Sequence, residues 1–403
     1  MSSSPKQLRL ILVKIRMSEL DQLINDIHIG VDAICSEFPM SYWRDLDRNR
    51  KYPSQFVQKL SSSGYLAALI PEEYGGSELG LRTALEILKR IHYNGANAAA
   101  CHAQMYIMGT LLKHGSKDQK QKYLPGIASG DIRLQAFGVT EPNTGTDTLS
   151  LKTFAKKTDS GYIINGQKIW TSRAEYSDLL LLLARTTPIE QVTKKTDGLS
   201  VFLIDMREVS GEHIQINPIR TMINHSTTEI FIQDLQVDKN TLIGNEGEGF
   251  KYILSGMNAE RVLIAAECIG DAQWFIRQAS EYGNNRILFN APISKNQGIQ
   301  FPISNSYAHM KAAELMVHHA AERFDNGIND GESANIAKLL AADASWMAAE
   351  ACMQTFGGFG FAEEYDIERK YRETRLYQVA PISTNMILSY IAEKILGMPK
   401  SYG

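Results

Sequence analysis

The chain has 403 residues, of which 44% are hydrophobic and 22% charged, and its formal net charge is -3 at pH 7. This composition is typical of a globular protein of roughly two to three domains, and it argues against a nucleic-acid surface built on bulk positive charge. The four cysteines form no CxxC pair, which argues against a zinc knuckle or a disulfide framework and favours a reducing compartment. No apolar run approaches about 18 residues, so we expect no membrane span.

Residues 1–16 form an extension of uncertain origin. The stretch "PKQLRLILVKIRM" is basic, apolar and free of acids, as a transit peptide would be, and it ends at Met17. The plainer interpretation is an upstream start or added residues, with native initiation at Met17. That interpretation predicts a cytoplasmic protein, whereas a transit peptide would predict the mitochondrial matrix.

Three regions of different periodicity follow, and they predict three domains. Residues 17–134 have apolar residues at helical spacing and form a predicted N-terminal helical domain. Residues 135–245 contain β-rich runs, including "DLLLLLART", "LSVFLIDM", "HIQINPI" and "TEIFIQDLQV", and form a predicted central β domain. Residues 246–403 return to helical spacing. Segregated runs of this kind predict an α+β fold rather than alternating βαβ units.

Within the β region, "GYIINGQKIWTS" contains two short β-rich runs around Asn165-Gly166. Asn-Gly is a preferred pair for a two-residue β-turn, so the pattern predicts a hairpin at this position.

Several common catalytic and nucleotide-binding motifs are missing from the sequence. It has no GxxxxGK[ST], no GxGxxG after a strand, no HExxH and no GxSxG. The adjacent pair His318-His319 falls on a predicted helix, where neighbouring side chains point in different directions, so we predict no metal site there.

One acidic residue stands out at the start of the third region. In "SGMNAERVLIAAECIG", Met257, Ile264 and Cys268 fall near one apolar stripe, and Glu260 lies in that stripe. An acid on an apolar face is costly unless it is paired, hydrogen-bonded or protonated. Glu260 is therefore either a structural acid favoured by the helix dipole or a functional group.

Three motifs in order along the chain resemble the acyl-CoA dehydrogenase family: "FGVTEPNTGTD", "GQKIWTS" and "QTFGGFGFAEEYDIERKYRETRLYQV". The resemblance runs from about Met17 to the C-terminus. It implies an N-terminal helical domain, a central β-barrel-like domain and a C-terminal four-helix bundle. It also implies FAD as cofactor, an acyl-CoA substrate, an electron-transferring flavoprotein as partner, a role in fatty acid metabolism and a homotetramer.

The resemblance assigns two sets of residues to FAD. A flavin that accepts hydride needs hydrogen-bond donors at its N5 and N1/O2 edges. The first set suits that edge and comprises Phe137, Val139, Thr140, Gly145, Thr146, Trp170, Thr171 and Ser172. The second set would hold the pyrophosphate and adenosine, in part from a neighbouring subunit, and comprises Arg286, Phe289, Gln297, Gln354, Thr355, Phe356, Gly357, Gly358, Ser383 and Asn385. The usual Phe-Gly pair after the arginine is Phe289-Asn290 here.

The catalytic base is where the sequence departs from many family members. These place a glutamate after a Tyr-Gln pair, but in "YQVAPISTN" Pro381 occupies that position. The isovaleryl-CoA and long-chain types instead use a glutamate directly before an arginine on the first helix after the β domain. Glu260 and Arg261 match that arrangement, so the resemblance implies that Glu260 is the base. Thr146, Asn258 and Arg261 would contact the substrate.

Pro381 also removes a backbone N–H that in the family donates to the thioester carbonyl. Either the loop shifts so that the Ile382 N–H serves, or the substrate lies differently, or activity is weak. We therefore expect an FAD-dependent acyl-CoA dehydrogenase. The alternatives are an acyl-CoA oxidase, a dehydrogenase of a carrier-protein thioester, and a non-catalytic flavin-binding protein.

Overall fold

The structure, a computed structural model, describes the backbone of residues 5–328 and 331–401, and side chains in these ranges from residue 19 onward. The 1–16 extension therefore lies largely outside the described residues: only its backbone from residue 5 is seen, within the first helix. Six helices precede the sheet: α1 Pro5–Ser36, α2 Met40–Asn49, α3 Ser54–Ser62, α4 Leu81–Tyr93, α5 Ala99–His114 and α6 Lys117–Ser129.

Local sequence signals set the ends of some of these helices. Ser116 caps α6 by accepting from the Gln119 backbone N–H, and the Gln119 side chain accepts from the Ser116 backbone N–H in return. The first N–H groups of α4 are instead satisfied across the fold. The Asp325 carboxylate accepts from the backbone of Leu81 at 2.6 Å and of Arg82 at 2.9 Å.

The central region forms an eight-stranded sheet in the order β6-β7-β3-β2-β4-β5-β8, with β1 pairing with β4. Neighbouring strands are antiparallel except that β1 and β2 pair with β4 in parallel. The strands are β1 Leu134–Gly138, β2 Phe154–Lys157, β3 Gly161–Ser172, β4 Leu179–Arg185, β5 Leu199–Asp205, β6 Ile214–Pro218, β7 Thr227–Asp238 and β8 Leu242–Ile243.

Both faces of β4 are covered, which explains its unbroken apolar sequence. Leu179, Leu181 and Leu183 pack into a large core shared with the helices, whereas Leu180 and Leu182 face a second core on the other side. A strand that alternates between two dry environments needs apolar residues at every position. The sheet is thus held against the helical domains along one face.

The predicted hairpin at Asn165-Gly166 is wrong. β3 continues through both residues, and the hairpin from β2 to β3 turns instead just before Gly161. The register between β3 and β7 shifts between Ile164 and Gly166, and the Asn165 side chain bonds across the shift to Asp234. A Cβ on Gly166 would lie 2.4 Å from Thr153 Oγ1, so close packing explains this glycine.

The C-terminal region consists of long helices packed on α4 and α5. Its central member is α7, which packs against α9, α8 and α4 and is buried through its middle. The predicted α+β fold, with helical domains around a β domain, is confirmed. The remaining elements are α7 Gly249–Asn285, a short ribbon of β9 Ile287–Leu288 and β10 Ala291–Pro292, α8 Gln297–Asp325, α9 Gly331–Phe356, α10 Ile367–Arg375 and α11 Thr384–Tyr390.

Candidate active site

Glu260 lies on α7, and its side chain is 5% exposed. Burial raises the pKa of this carboxyl to about 7, although the charges of Arg261 and Arg173 and hydrogen bonding from Tyr106 favour the ionised form. A buried carboxyl with a pKa near neutrality can accept a proton in its ionised form and still bind it strongly. That is the property required of a general base at physiological pH.

Residues from two helices surround the Glu260 carboxyl. Tyr106 on α5 lies against it, and the Tyr106 ring is 6.4 Å from the ring of Phe137, which opens the first predicted flavin motif. On α7, Arg261 Nη1 donates to Asn258 Oδ1 at 2.6 Å. The family resemblance implied roles in catalysis and substrate binding for Glu260, Asn258 and Arg261, and the structure places all three on one stretch of α7.

The loop after β1 lies beside the end of β3. The Thr140 carbonyl accepts from the Ile169 backbone N–H at 2.9 Å, so the loop and the strand that carries Trp170 are held together. Val139 and Thr140 are half-buried, whereas Gly145 and Thr146 are exposed. The two sequence motifs assigned to the flavin edge thus form one local structure.

A buried ion pair fixes this loop. Lys168 Nζ donates to Glu141 Oε1 at 2.9 Å and to the Val139 carbonyl at 3.1 Å. The second Glu141 oxygen accepts from the Lys152 N–H at 2.6 Å. Burial opposes ionisation of Glu141, but Lys168 and the surrounding donors outweigh it and lower the pKa of that carboxyl. Sequence reasoning missed both residues, although a lysine and a glutamate inside the two motifs were a visible signal.

The end of β3 has features of a ligand-binding edge. Trp170 has a left-handed backbone (φ 59°) and is 57% exposed, which is unusual for a large aromatic side chain at a structured position. The hydroxyls of Thr171 and Thr144 are buried without a hydrogen-bond partner in the described part of the chain. Ser172 is half-buried. Buried hydroxyls without a partner, in the loop after β1 and at the end of β3, fit a polar aromatic ligand such as a flavin.

The segment that contains Pro381 is tied to α9. Buried Lys338 donates to the carbonyls of Tyr377 at 2.5 Å and Ile382 at 2.7 Å. Tyr377 in turn donates from its hydroxyl to Glu267 Oε2 on α7 at 2.9 Å. Within the described chain, the Ile382 N–H makes no hydrogen bond. Just beyond it, Ser383 caps α11 through the Met386 N–H, and Asn385 is exposed.

Most of the second predicted FAD set lies elsewhere. Arg286 directly follows α7 and is 26 residues beyond Glu260, which places it about 39 Å away along the helix axis. Its guanidinium lies 5.5 Å from the Phe359 ring centroid. Phe289 is completely exposed, with φ 52°. Phe356, at the end of α9, stacks on Tyr282 near this end of α7. Thr355 is buried, and the exposed members of the set are Gln297, Gln354, Gly357 and Gly358. A single chain therefore does not bring the two sets together.

Sequence reasoning also missed a buried ionic network beyond Glu260 on α7. Glu267 accepts from His102 Nδ1 at 2.7 Å, and Asp271 lies 2.8 Å from His92 Nδ1 and 2.5 Å from Lys370 Nζ. Burial opposes ionisation of Glu267, but His102, His92 and Tyr377 outweigh it and lower its pKa. The spacing of 260, 267 and 271 on one helix face was the signal available.

Among the described residues, no group of three or more His, Cys, Asp or Glu side chains is arranged to hold a metal ion. His318 of the adjacent pair His318-His319 lies 3.2 Å from Glu86. No helix in the described ranges combines the length and apolarity needed to cross a membrane.

Comparison with known proteins now identifies the family. Three domain models of the acyl-CoA dehydrogenases match the chain: the N-terminal domain at residues 26–131, the middle domain at 136–235 and the C-terminal domain at 247–396. An acyl-CoA dehydrogenase of Bacillus subtilis is 31% identical over 353 residues, which cover 87% of this chain and 92% of that protein.

Solved structures agree with the sequence comparison. Glutaryl-coenzyme A dehydrogenase in complex with glutaryl-CoA is similar with a TM-score of 0.86 and 28% identity, over 95% of this chain and 96% of the other. Butyryl-CoA dehydrogenase from Megasphaera elsdenii is similar with a TM-score of 0.87 and 26% identity, over 93% and 98%. On these matches, the chain is an oxidoreductase that belongs to the acyl-CoA dehydrogenase family.

Proposed function

We propose that the protein catalyses FAD-dependent α,β-dehydrogenation of an acyl-CoA thioester to the trans-2-enoyl-CoA. The observation that carries this proposal is Glu260, a carboxyl buried on α7 whose pKa is raised to about 7 and which lies against Tyr106. A purely structural acid in that position would be fully ionised and paired with a close cation, as Asp271 is with Lys370. A proton acceptor instead requires the poised carboxyl seen at Glu260.

The residues present fit FAD. Trp170 offers an exposed ring, and Thr171, Thr144, Ser172 and Thr140 offer hydroxyls for the flavin edge, two of them buried and unsatisfied in the described chain. When bound, FAD would supply the acceptor for the β-hydride. Exposed Arg286, beside Phe359, would supply a cation for the pyrophosphate.

The chain's own groups account for the proton transfer. Glu260 in its ionised form would take the α-proton onto a carboxylate oxygen, and Tyr106 would orient that oxygen by hydrogen bonding. The dry surroundings of Glu260 strengthen it as a base relative to a carboxylate in water. Asn258 and Arg261, joined at 2.6 Å, would shape the wall beside it.

We propose that the Ile382 N–H replaces the donor that proline removes at Pro381. Lys338 holds the Ile382 carbonyl at 2.7 Å, which fixes the orientation of this peptide segment, and the Ile382 N–H has no partner in the described ranges. A fixed backbone N–H that bonds to no other protein group is suited to stabilise charge on a thioester oxygen.

We further propose that the active form is a homotetramer in which FAD is shared between subunits. The base and Arg286 lie about 39 Å apart along α7, farther than one FAD extends, so a neighbouring copy would have to supply the phosphate-binding set. The exposed side chains of Phe289, Ile287 and Leu288 at this end support a contact with another copy. The proposed electron acceptor is an electron-transferring flavoprotein, and the proposed role is in fatty acid metabolism.

The proposed location is the cytoplasm, with the mitochondrial matrix as the alternative. The four thiols Cys35, Cys101, Cys268 and Cys352 are all free and buried, which suits a reducing compartment. Cell fractionation with an antibody to the native protein would distinguish the two.

The test is anaerobic mixing of FAD-loaded protein with a panel of acyl-CoAs while the visible flavin band is recorded. We expect bleaching with one acyl class in the parent and at least about 100-fold slower bleaching in Glu260→Gln. Glu281→Gln, an exposed glutamate on the same helix, is the matched control and should behave as the parent. Undiminished bleaching in Glu260→Gln would remove Glu260 from the mechanism.

Other outcomes would favour the other candidates. Rapid reoxidation of the bleached flavin by oxygen would indicate an oxidase. Bleaching by acyl carrier protein thioesters alone would indicate a carrier-protein dehydrogenase. No bleaching by any thioester, with FAD bound, would support the non-catalytic flavoprotein, and Pro381 would be the first residue to change.

A further inference from the structure

Glu267 is a fully buried carboxylate that the reaction above does not use. It lies seven residues beyond Glu260 on α7, which is about two helical turns and about 10 Å along the helix axis. None of its side chain is exposed. An ionised carboxylate is costly to bury unless hydrogen bonds and nearby charges offset the loss of water. The partners of its two oxygens therefore show what this residue holds in place.

One oxygen of Glu267 holds the α5 wall of the site, which consists of His102 and Tyr106. His102 Nδ1 donates to Glu267 Oε1 at 2.7 Å. The His102 ring stacks on the Tyr106 ring, with centroids 5.9 Å apart and planes 27° from parallel. Tyr106 in turn lies against the Glu260 carboxyl and forms a hydrogen bond with it. The orientation of the base therefore depends on Glu267 through two rings of α5.

The other oxygen holds the Pro381 segment, residues 377–382. Tyr377 donates from its hydroxyl to Glu267 Oε2 at 2.9 Å, and Tyr377 is buried. Lys338 holds the backbone of the same segment through the carbonyls of Tyr377 and Ile382. The segment is thus anchored to α9 by its backbone and to α7 by a side chain. Because Glu267 and Glu260 belong to one unbroken helix, the second anchor fixes the segment relative to the base.

Asp271, one turn further along α7, shows how a structural acid is held in this core. It lies 2.8 Å from His92 Nδ1 and 2.5 Å from Lys370 Nζ, so a lysine compensates its charge directly. Among the described residues, neither a lysine nor an arginine forms an ion pair with Glu267. Its hydrogen-bond partners are a histidine and a tyrosine, each attached to one wall of the site. Charge compensation therefore explains Asp271 but not the partners of Glu267.

We propose that Glu267 is a positioning residue that sets the distance between the α5 wall beside the base and the Pro381 segment with its Ile382 N–H. This inference rests on the proposed function and adds a residue to it. Removal of the α-proton sends charge onto the thioester oxygen, so the base and the oxyanion donor must meet one substrate at the same time. A carboxylate suits this task because it accepts two donations and needs no acceptor for a proton of its own. The alternative is a purely structural acid like Asp271.

The first test measures the donation to the carbonyl without turnover. The thioester trans-2-hexenoyl-CoA is paired with S-(trans-2-hexenyl)-CoA, in which a methylene replaces the carbonyl, and each is titrated into FAD-loaded protein. The parent should bind the thioester at least about tenfold more tightly, because only the thioester has an oxygen that accepts from the segment. In Tyr377→Phe, which removes one hydroxyl, this preference should fall at least about fivefold. The same preference in both proteins, or none in the parent, would overturn the link to the Pro381 segment.

The second test measures the α5 wall by the limiting rate of flavin reduction, with the acyl-CoA that bleaches the parent fastest. In His102→Leu this rate should fall at least about tenfold while the affinity for trans-2-hexenoyl-CoA stays within about threefold, because a misplaced base slows proton removal rather than binding. Tyr371→Phe is the control. It removes a tyrosine hydroxyl that donates to Glu350 on α9, and it should match the parent in both measurements. A folded His102→Leu with the parental rate would overturn the link to the α5 wall.

Substitutions of Glu267 itself test the joint role. Glu267→Gln keeps one acceptor oxygen and Glu267→Leu keeps none, so the limiting rate should fall at least about tenfold in the first and about 100-fold in the second. Adding Tyr377→Phe to Glu267→Leu should cause no further loss of the thioester preference, because the hydroxyl already lacks its acceptor. Additive losses would contradict the proposal. If Glu267→Leu does not fold, Tyr377→Phe and His102→Leu decide the question, since each removes only one donation.

The binding measurement separates failure of the positioning role from failure of the proposed reaction. If no acyl-CoA bleaches the flavin, yet Tyr377→Phe and Glu267→Gln lose the thioester preference of the parent, Glu267 positions the segment and the reaction fails. If the flavin is bleached and both variants keep the parental rate and preference, the reaction stands and Glu267 is purely structural.

Discussion

The buried ammonium of Lys338 donates to the Ile382 carbonyl at 2.7 Å, and it thereby fixes the peptide segment that follows Pro381. Burial lowers the pKa of Lys338 to about 8, so this lysine remains largely charged at neutral pH. A second donation, to the Tyr377 carbonyl, holds the other end of the same segment. The position of the Ile382 N–H, which lies just before α11, therefore depends on a residue of α9.

Lys338→Met keeps most of the side-chain volume but removes both donations. We expect kcat/KM for flavin reduction to fall at least about tenfold. Complete loss of one positioned donor to a developing oxyanion costs about 3 kcal/mol, and a donor that is only held less firmly should cost part of that. FAD content should be unchanged. Lys117→Met, on the exposed start of α6, is the control. Unchanged kcat/KM in a folded Lys338→Met would show that the Ile382 N–H is not used.

Glu260→Gln should change the pH dependence of stability in a defined direction. The pKa of Glu260 rises from 4.5 to about 7 on folding, so its ionised form is less favourable in the folded state. Below pH 4.5 the carboxyl is protonated in both states and costs nothing. As the pH rises from about 4.5 to 7, the parent loses up to about 3 kcal/mol of unfolding free energy, which the glutamine variant keeps.

Urea unfolding of the FAD-free proteins at pH 4.5, 6 and 8 measures this difference. The stability of Glu260→Gln relative to the parent should increase with pH and level off above pH 7. Glu281→Gln, exposed on the same helix, should show no such trend. A difference that does not vary with pH would mean that the folded-state pKa of Glu260 is ordinary.

Arg286→Ala should weaken FAD retention by removing a partner for a phosphate. Flavin content after gel filtration is the measurement, and fluorescence titration of FAD into the apoprotein gives the affinity. Arg220→Ala, an exposed arginine at the β6–β7 connection, should keep its flavin. A fully flavinated Arg286→Ala would count against the second FAD set.

The Glu141–Lys168 pair should prove strongly coupled. Because both partners are buried, Glu141→Gln or Lys168→Met alone leaves a charge uncompensated and should cost about 3–5 kcal/mol of unfolding free energy. The double variant Glu141→Gln/Lys168→Met should be less destabilised than the sum of the two. Additive losses in this cycle would show that the pair does not act as a unit.

Sequence alone predicted the family, the order of helical and β regions, and the strands at Leu179–Arg185, Leu199–Asp205, Ile214–Pro218 and Thr227–Asp238. These features depend on local periodicity and on motifs of contiguous residues, which a chain displays without its fold. It also singled out Glu260, because an acid in an apolar stripe is visible from spacing alone. The prediction of a hairpin at Asn165-Gly166 was wrong because close packing against Thr153, not a turn, explains that glycine.

Only the tertiary structure decided which charges meet. Lys338 is more than 40 residues from Ile382, and Arg173 is 52 residues from His225, so no local pattern could pair them. The degree of burial that raises the pKa of Glu260 likewise depends on α5 packing against α7. The distance of about 39 Å between Glu260 and Arg286 follows from the unbroken length of α7. That length determines which groups one chain can bring to a single ligand.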